Sequence, residues 1–486
     1  VALFPMKSLC AVLFALSFVV GLASSLSAAT ARPPNILFIL ADDMGWTDAA
    51  SFGSKYYETP GIDRLVREGV KFTSAYSACT VCSPTRAALL TGKYPARLRL
   101  TDFLIGEERP YEKLREPVWQ RFLPLEEETI AERLKKLGYA TALIGKWHLG
   151  DRPLPTGYPA NQGFDVTVGG IHGASHLPPH GPLMNLPDEP KGFLTDRLTD
   201  AAVSFMEENK DRPFFLYLPH FAPHAPVQGK PEVIEKYRRK GAVGGKQNNP
   251  VNAALVESLD DSVMRLLDTL KRLKLEENTV VIFTSDNGGE IGGANKRGAQ
   301  TDCSPLRLGK GSAYEGGVRV PAVIKWPGVT QAGRVTEVPT ITIDYFPTLL
   351  EMAGHAPGPA DVLDGISIVP LLRGAESLPR DELYWHFPHY HSPIDSPYSA
   401  MRSGDWKLVH FFDDDHVELY NLKADLGETT DLATTNPTRA TELRHRLASW
   451  RRSVGAQIPT VNPNFDPARR LESIRWTPTA PQYRKY

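Results

Sequence analysis

The sequence predicts an α/β protein: a large, mostly parallel sheet sandwiched by helices, followed by a small C-terminal α+β region that contains an antiparallel sheet. Three observations predict it. Continuous apolar runs of strand length recur, each ending abruptly in polar residues, as strands buried on both faces do. Stretches with apolar residues at helical spacing separate those runs, which is the alternation of βαβ units. Beyond residue 370 the pattern changes to short strands split by turn residues. With 486 residues and a formal net charge of −1, the chain can bury a large core, and its balanced charge gives no footprint for nucleic acid.

Residues 1–31 read as a secretory signal. Lys7 precedes a short apolar run over 9–22, and Ala29-Thr30-Ala31 supplies small residues for cleavage. The run is short for a bilayer span and no positively charged stop follows it, so the mature chain is expected to be exported, periplasmic or extracellular, with no membrane span. Cys10 stands at the start of the apolar run and not after it, which argues against a lipid anchor. Export makes the remaining three cysteines, Cys79, Cys82 and Cys303, an odd set to explain. If Cys82 is chemically special, Cys79 and Cys303 are left as a possible pair, which spacing alone does not place within bonding reach.

The first strand is expected over 35–40, ending in Ala41-Asp42-Asp43-Met44-Gly45. Three more runs follow the same grammar: 141–145 leads into Lys146-Trp147-His148, 214–218 into Pro219-His220-Phe221-Ala222-Pro223-His224, and 279–284 into Ser285-Asp286-Asn287-Gly288-Gly289. Helical patterns over 126–138, 194–209 and 251–275 separate them. In open parallel sheets ligands bind beyond the carboxyl ends of the strands, where all four polar clusters fall. Taken singly, each cluster also reads as ordinary capping or turn chemistry. Together, Asp42, Asp43, Asp286 and Asn287 make an all-oxygen set suited to a hard divalent cation, Ca²⁺ or Mg²⁺, with zinc less favoured.

Between the first two clusters lies Cys82-Ser83-Pro84-Thr85-Arg86-Ala87-Ala88-Leu89-Leu90-Thr91-Gly92. Pro84 suits a first helical turn and the Ala-Leu run continues it, so Cys82 is expected at a helix N-terminus, where backbone N–H groups favour an anion. Arg86, four residues on, points back toward that end. A second CxPxR pattern, Cys303 to Arg307, is rejected as a nucleophile site because Leu308-Gly309-Lys310-Gly311 breaks the chain at once. Lys310 itself, between two glycines, can bring its ammonium close to a ligand.

These residues together resemble the type I sulfatases, the formylglycine-dependent enzymes of the alkaline phosphatase superfamily. The resemblance runs in order from about Asn35 to the C-terminus through six separated motifs. It implies an alkaline phosphatase-like fold and a Cys82 oxidised after translation to formylglycine, which requires a formylglycine-generating enzyme during maturation. The hydrated aldehyde is then the nucleophile, and its diol expels sulfate by collapsing to the aldehyde, so water need not attack sulfur. By the same resemblance one Ca²⁺ per chain is held by Asp42, Asp43, Cys82, Asp286 and Asn287. Lys146, Lys310 and His224 bind the sulfate, and Arg86 holds the diol. His224 is the general acid, His148 helps the diol collapse, and Asp286 is the base for its attack. His172, His176 and His220 are carried only as substrate contacts to be checked.

The catalytic domain is expected over 32–375 and the C-terminal subdomain with its tail over 376–486. Strands are expected at 383–388, 398–402, 406–410 and 417–420, then a helix over 438–454 with Leu443, Leu447 and Trp450 on one face. The run His386-Phe387-Pro388-His389-Tyr390-His391 reads as interdomain packing, with stacking on a sugar as the alternative. The tail from Asn462, with Arg469, Arg470, Arg484 and Lys485, reads as mildly basic surface. The expected activity is hydrolysis of sulfate monoesters, on a sulfated carbohydrate or an aryl sulfate. The alternatives are a phosphonate monoester or phosphodiester hydrolase of the same superfamily and an inactive protein that binds sulfated glycans.

Overall fold

The computed structural model describes Val1 and residues 32–475 apart from 105, 151–156, 182–183, 187–190, 244–245, 293–298, 359–360 and 395. The leader, its cleavage site and the tail residues Arg484 and Lys485 therefore lie outside the described residues. The chain divides at Pro33, and every sheet among the described residues belongs to the compact unit that begins at Pro34.

The large sheet is built from β1 (Asn35–Asp42), β2 (Val70–Tyr76), β3 (Ala140–Lys146), β4 (Val166–Gly170), β5 (Phe214–Pro223), β6 (Thr279–Ser285), β7 (Arg319–Lys325), β8 (Arg334–Thr336) and β9 (Thr340–Ile341). Its order is β8-β2-β7-β6-β1-β5-β3-β4, with β9 also on β2. Only β7 runs antiparallel to its neighbours; the other pairs are parallel. The four strands expected from sequence are the adjacent central ones, β6-β1-β5-β3, so their polar ends meet.

Alternation along β1 divides the core. Ile36, Phe38 and Leu40 pack on one face with Leu89 and Leu90 of α2 (Cys82–Thr91), Ile130 and Leu134 of α3 (Ile130–Lys136), and Leu349 of α6 (Tyr345–Met352). Leu37 and Ile39 pack on the other with Ile62 of α1 (Pro60–Glu68), Leu198 of α4 (Leu194–Glu208), and Leu255 and Leu259 of α5 (Pro250–Arg272). The helix expected from residue 126 starts four residues later because Thr129 caps it, accepting from the Glu132 N–H while Glu132 accepts from the Thr129 N–H.

The C-terminal region is an antiparallel meander of β10 (Glu382–Phe387), β11 (Tyr398–Ser403), β12 (Trp406–Phe411) and β13 (Val417–Asn421), covered by α7 (Pro437–Ser453). Trp385, Tyr398 and Leu443 from this layer share a core with Tyr76 and Ala88 of the large-sheet layer. A fully buried charge network also joins the layers: Lys407 Nζ lies 2.8 Å from Glu315 and 3.0 Å from Glu428. Among the described residues no helix is long and apolar enough to cross a membrane.

Candidate active site

Cys82 is the first residue of α2, one of two elements that bring chemistry to the carboxyl edge of the sheet from outside it. The helix stops at Gly92, whose φ of 68° lets its N–H turn back to the Ala88 carbonyl. Cys82 is 1% exposed, with Sγ 3.4 Å from Asp42 Oδ1 and 4.0 Å from Asp43 Oδ1. Ligand atoms of Asp42, Asp43, Cys82 and His224 all lie within 4.8 Å of one another.

The cations interleave with these carboxylates. Lys146, at the end of β3, donates to Asp42 Oδ2 at 2.6 Å, and Lys310, from the loop before β7, donates to Asp43 at 2.8 Å. Arg86 donates through Nε and Nη2 to Asp286 Oδ2 at 3.0 and 2.7 Å, and through Nη1 to the Lys146 carbonyl at 2.8 Å. Asp286 Oδ1 accepts the Asp43 N–H at 3.2 Å, and Asn287 Nδ2 donates to Asp43 Oδ1 at 2.8 Å. Asp43 holds φ at 66° and His148 at 58°, left-handed backbone that side-chain-bearing residues seldom adopt and that recurs at functional sites.

Burial would raise the Asp42 carboxyl, yet Lys146, with His224, Arg86 and Lys310, holds it well below the usual carboxylate range. Asp286 goes the other way: burial and the Asp42 and Asp43 charges push it up to about 7 despite Arg86. Burial likewise pushes the Cys82 thiol well up, Lys146 and Lys310 offsetting only part of it. Burial and then Lys146 push the His148 imidazole well down and that of His224 down to about 4, although the His224 side chain keeps 20% of its surface exposed.

His224 Nε2 stands 3.7 Å from Asp43 Oδ2, and its Nδ1 donates to the Ala225 carbonyl at 2.6 Å. His148 Nε2 donates to the Leu104 carbonyl at 2.5 Å, and its Nδ1 is buried without a partner. Of the other histidines, His220 is wholly buried and bonds Ser262, and His176 is wholly buried, bonds the His224 carbonyl and stacks on Phe193. Both are packing residues and not substrate contacts. His172 is half-buried, its ring 6.3 Å from that of His148. In the 386–391 run, His386 and His389 are buried and bonded, leaving only His391 partly exposed. Cys79 and Cys303 are free buried thiols, so the possible disulfide does not form. No helix follows Cys303 within the next ten residues.

Sequence reasoning missed Tyr398. This β11 residue exchanges a hydrogen bond with Thr80 Oγ1 at 2.8 Å and donates to the Gly311 carbonyl at 3.2 Å, so one hydroxyl ties the Cys82 approach to the Lys310 loop. The Gly311 N–H closes the same link on the Thr80 carbonyl at 2.9 Å. Nothing local to residue 398 signals this, since the partners are 318 and 87 residues away.

The Sulfatase family model matches residues 34–355, and that of the N-sulphoglucosamine sulphohydrolase C-terminal region matches 308–453. A sulfatase of Formosa agariphila is 36% identical, covering 90% of this chain and 92% of its own length. The N-acetylgalactosamine-6-sulfatase of Canis lupus familiaris is 35% identical over 75% of this chain and 70% of its own. The crystal structure of Ps i-CgsB in complex with k-i-k-neocarrahexaose superposes with a TM-score of 0.73 at 29% identity, covering 89% of this chain and 95% of that one. With the family's own domain spanning both edges of the cleft, and named members alike along most of their length, this chain belongs to the sulfatase family and is a sulfuric ester hydrolase.

Proposed function

We propose that this enzyme removes sulfate from a carbohydrate, using residue 82 oxidised from cysteine to formylglycine and one Ca²⁺. The observation that carries the reading is Cys82 Sγ 3.4 Å from Asp42, in a pocket whose lysines already pair with the carboxylates. As a thiol the side chain is a poor nucleophile there, because burial keeps it protonated. Formylglycine supplies instead a hydrated aldehyde, one hydroxyl to attack sulfur and a second whose loss of a proton lets sulfate leave.

The donor set fits Ca²⁺. Asp42, Asp43 and Asp286 offer carboxylate oxygens, and Asn287 Oδ1 is buried without a partner. Asp286 is raised by burial first and then by the Asp42 and Asp43 charges, a repulsion among carboxylates that a cation bound between them would relieve. Bound by these residues and by residue 82, the ion supplies positive charge toward the sulfate oxygens.

The chain's own groups do the rest. Lys146 and Lys310 neutralise sulfate oxygens as the S–O bond breaks. Arg86 fixes Asp286, which takes the proton of the attacking hydroxyl. His224 hands a proton from Nε2 to the leaving sugar oxygen; its Nδ1 hydrogen bond to Ala225 fixes the ring, and the approaching anionic ester raises its basicity. His148 has its Nε2 proton committed to Leu104, so its Nδ1 lone pair is left to accept the proton released on diol collapse.

A sugar sulfate is favoured by two of the relatives above, one named for N-acetylgalactosamine 6-sulfate and one bound to a carrageenan oligosaccharide. Export follows from the leader read in the sequence.

The test uses protein made with a formylglycine-generating enzyme. The peptide carrying residue 82 is weighed, and aryl sulfate, phosphonate and phosphodiester esters are assayed with chelator and with Ca²⁺ restored. An aldehyde mass with sulfate-selective, Ca²⁺-restored turnover is expected. A thiol mass in active enzyme, or preference for the phosphonate, overturns the reading.

A further inference from the structure

A second cleft lies away from this site. Its volume is about 540 Å³, and it runs between Tyr94 and Arg97 on one side and Arg380, Tyr384, Arg446 and Trp450 on the other. Tyr94 follows the C-terminus of α2, whereas Cys82 begins that ten-residue helix. A helix of that length separates its ends by roughly 15 Å.

The cleft has an aromatic floor and polar walls. Tyr384 and Trp450 stack in parallel, centroids 4.7 Å apart with planes at 2°, and Tyr94 meets Trp450 edge-on at 5.1 Å. Trp450 is 8% exposed while Tyr384 is half-buried, so the pair's accessible surface belongs to Tyr384. The walls are charge-balanced: Arg97 forks onto Asp364 at 2.6 and 2.9 Å, Arg380 pairs with Asp344, and Arg446 pairs with Glu382. Trp450 Nε1 is buried in this lining without an acceptor.

Balanced walls give no site for a bare anion. They offer donors and acceptors around an aromatic face, beside an indole N–H that lacks a partner. That combination suits a hydroxylated pyranose ring, its apolar face on Tyr384 and a hydroxyl oxygen on the indole. We propose that this cleft is an ancillary glycan-binding site, which takes a sugar unit of the substrate chain through its ring hydroxyls and holds the polymer near the catalytic cleft. It rests on the carbohydrate reading above. A chain held at both clefts gains affinity through effective concentration, with no change at residue 82.

The test runs the active full chain in affinity gels containing a carrageenan or its desulfated galactan, with aryl sulfate kinetics alongside. Both polymers are expected to retard the parent. Tyr384→Ala and Trp450→Phe should weaken retardation at least fivefold, and aryl sulfate kcat/KM should stay within twofold. If melting shows that Trp450→Phe misfolds, Tyr384→Ala and Arg446→Ala, both at partly exposed positions, decide. Equal retardation of parent and variants, no retardation of the parent, or retardation by the sulfated polymer alone overturns the proposal. Retardation with no aryl sulfate turnover would sink the catalytic reading and leave the cleft standing.

Discussion

A thiol packed among carboxylates is chemically quiet, which is the physical ground for the proposal that residue 82 is modified. Burial and the Asp42 and Asp286 charges outweigh Lys146 and Lys310, so unmodified Cys82 should resist iodoacetamide at pH 8 and Cys82→Ser should reduce sulfate release to background; rapid alkylation of the folded thiol would contradict this. The lysines are separable from the nucleophile. Lys310→Ala leaves Asp43 without its cationic partner, only Asn287 still donating at 2.8 Å, and should cost about 10²- to 10³-fold in kcat/KM, the usual worth of one preorganised charge donor. His224→Ala should lower turnover of a sugar sulfate about 10²- to 10⁴-fold and that of an activated aryl sulfate far less, since only the poor leaving group needs the proton; equal losses on both would remove the general-acid role. The residues proposed for the centre stand out in the sequence because they follow a buried strand, lie in the first turns of a helix or sit between glycines. His176 and His220 do not, because a histidine in a loop looks the same whether it faces substrate or, as here, a neighbouring element.

The elements that carry the site were legible for the same reason that they carry it. The strands β1, β3, β5 and β6 are central, covered on both faces, and so read as unbroken apolar runs. The other five strands of the sheet were not read as strands, and β2 and β7 show why. Lys71 and Thr73 leave β2 only half apolar, and β7 opens on Arg319 and contains Pro321, residues that argue against a strand unless tertiary partners pay for them. Arg319 has such a partner, donating to Glu315 at 2.6 Å. Close approach explains the glycine after Asp286-Asn287: a Cβ on Gly288 would stand 1.8 Å from the Gly316 carbonyl oxygen, so Gly288 admits the segment that follows Lys310. The C-terminal layer reaches the chemistry through Tyr398. Tyr398→Phe removes the hydroxyl between Thr80 and Gly311 and should lower kcat/KM about three- to tenfold, matching a net hydrogen-bond worth of roughly 0.5–1.5 kcal/mol. Unchanged kinetics with a lowered melting temperature would reduce Tyr398 to a packing residue.

Stability belongs to the whole molecule, because groups far from the cleft set its pH dependence. Behind residues 101–104 lies a buried chain in which His389 Nδ1 is 2.9 Å from Glu116 Oε2 and His389 Nε2 is 2.8 Å from Thr101 Oγ1. Burial pushes Glu116 up to about 8 and Asp102 up to about 7, and it pushes His389 down to about 4. Asp260, in another part of the core, is also raised by burial to about 7. Each raised carboxyl stabilises the fold fully below its unfolded pKa and loses that contribution as pH rises through the folded value. The depressed histidines, His389 together with His220 and His386 that burial pushes down to about 3, contribute above about 6.5, their ordinary value, and lose that share as pH falls toward 4 and below. The two effects oppose each other between about pH 4 and 6.5, and above 6.5 only the carboxyls titrate. The melting temperature should therefore hold or fall slowly below pH 6.5 and drop between pH 6.5 and 8. At about 1.4 kcal/mol per unit of pH and proton, Glu116 accounts for roughly 2 kcal/mol of that drop. Thermal melts across pH 5–9 measure it, with saturating Ca²⁺ throughout so that the cleft carboxylates do not contribute. Glu116→Gln, which stays neutral, should be no more stable than the parent at pH 5 and more stable at pH 8. A parent curve flat from pH 6.5 to 8, or a Glu116→Gln curve parallel to the parent's, would mean that Glu116 ionises in the fold without penalty.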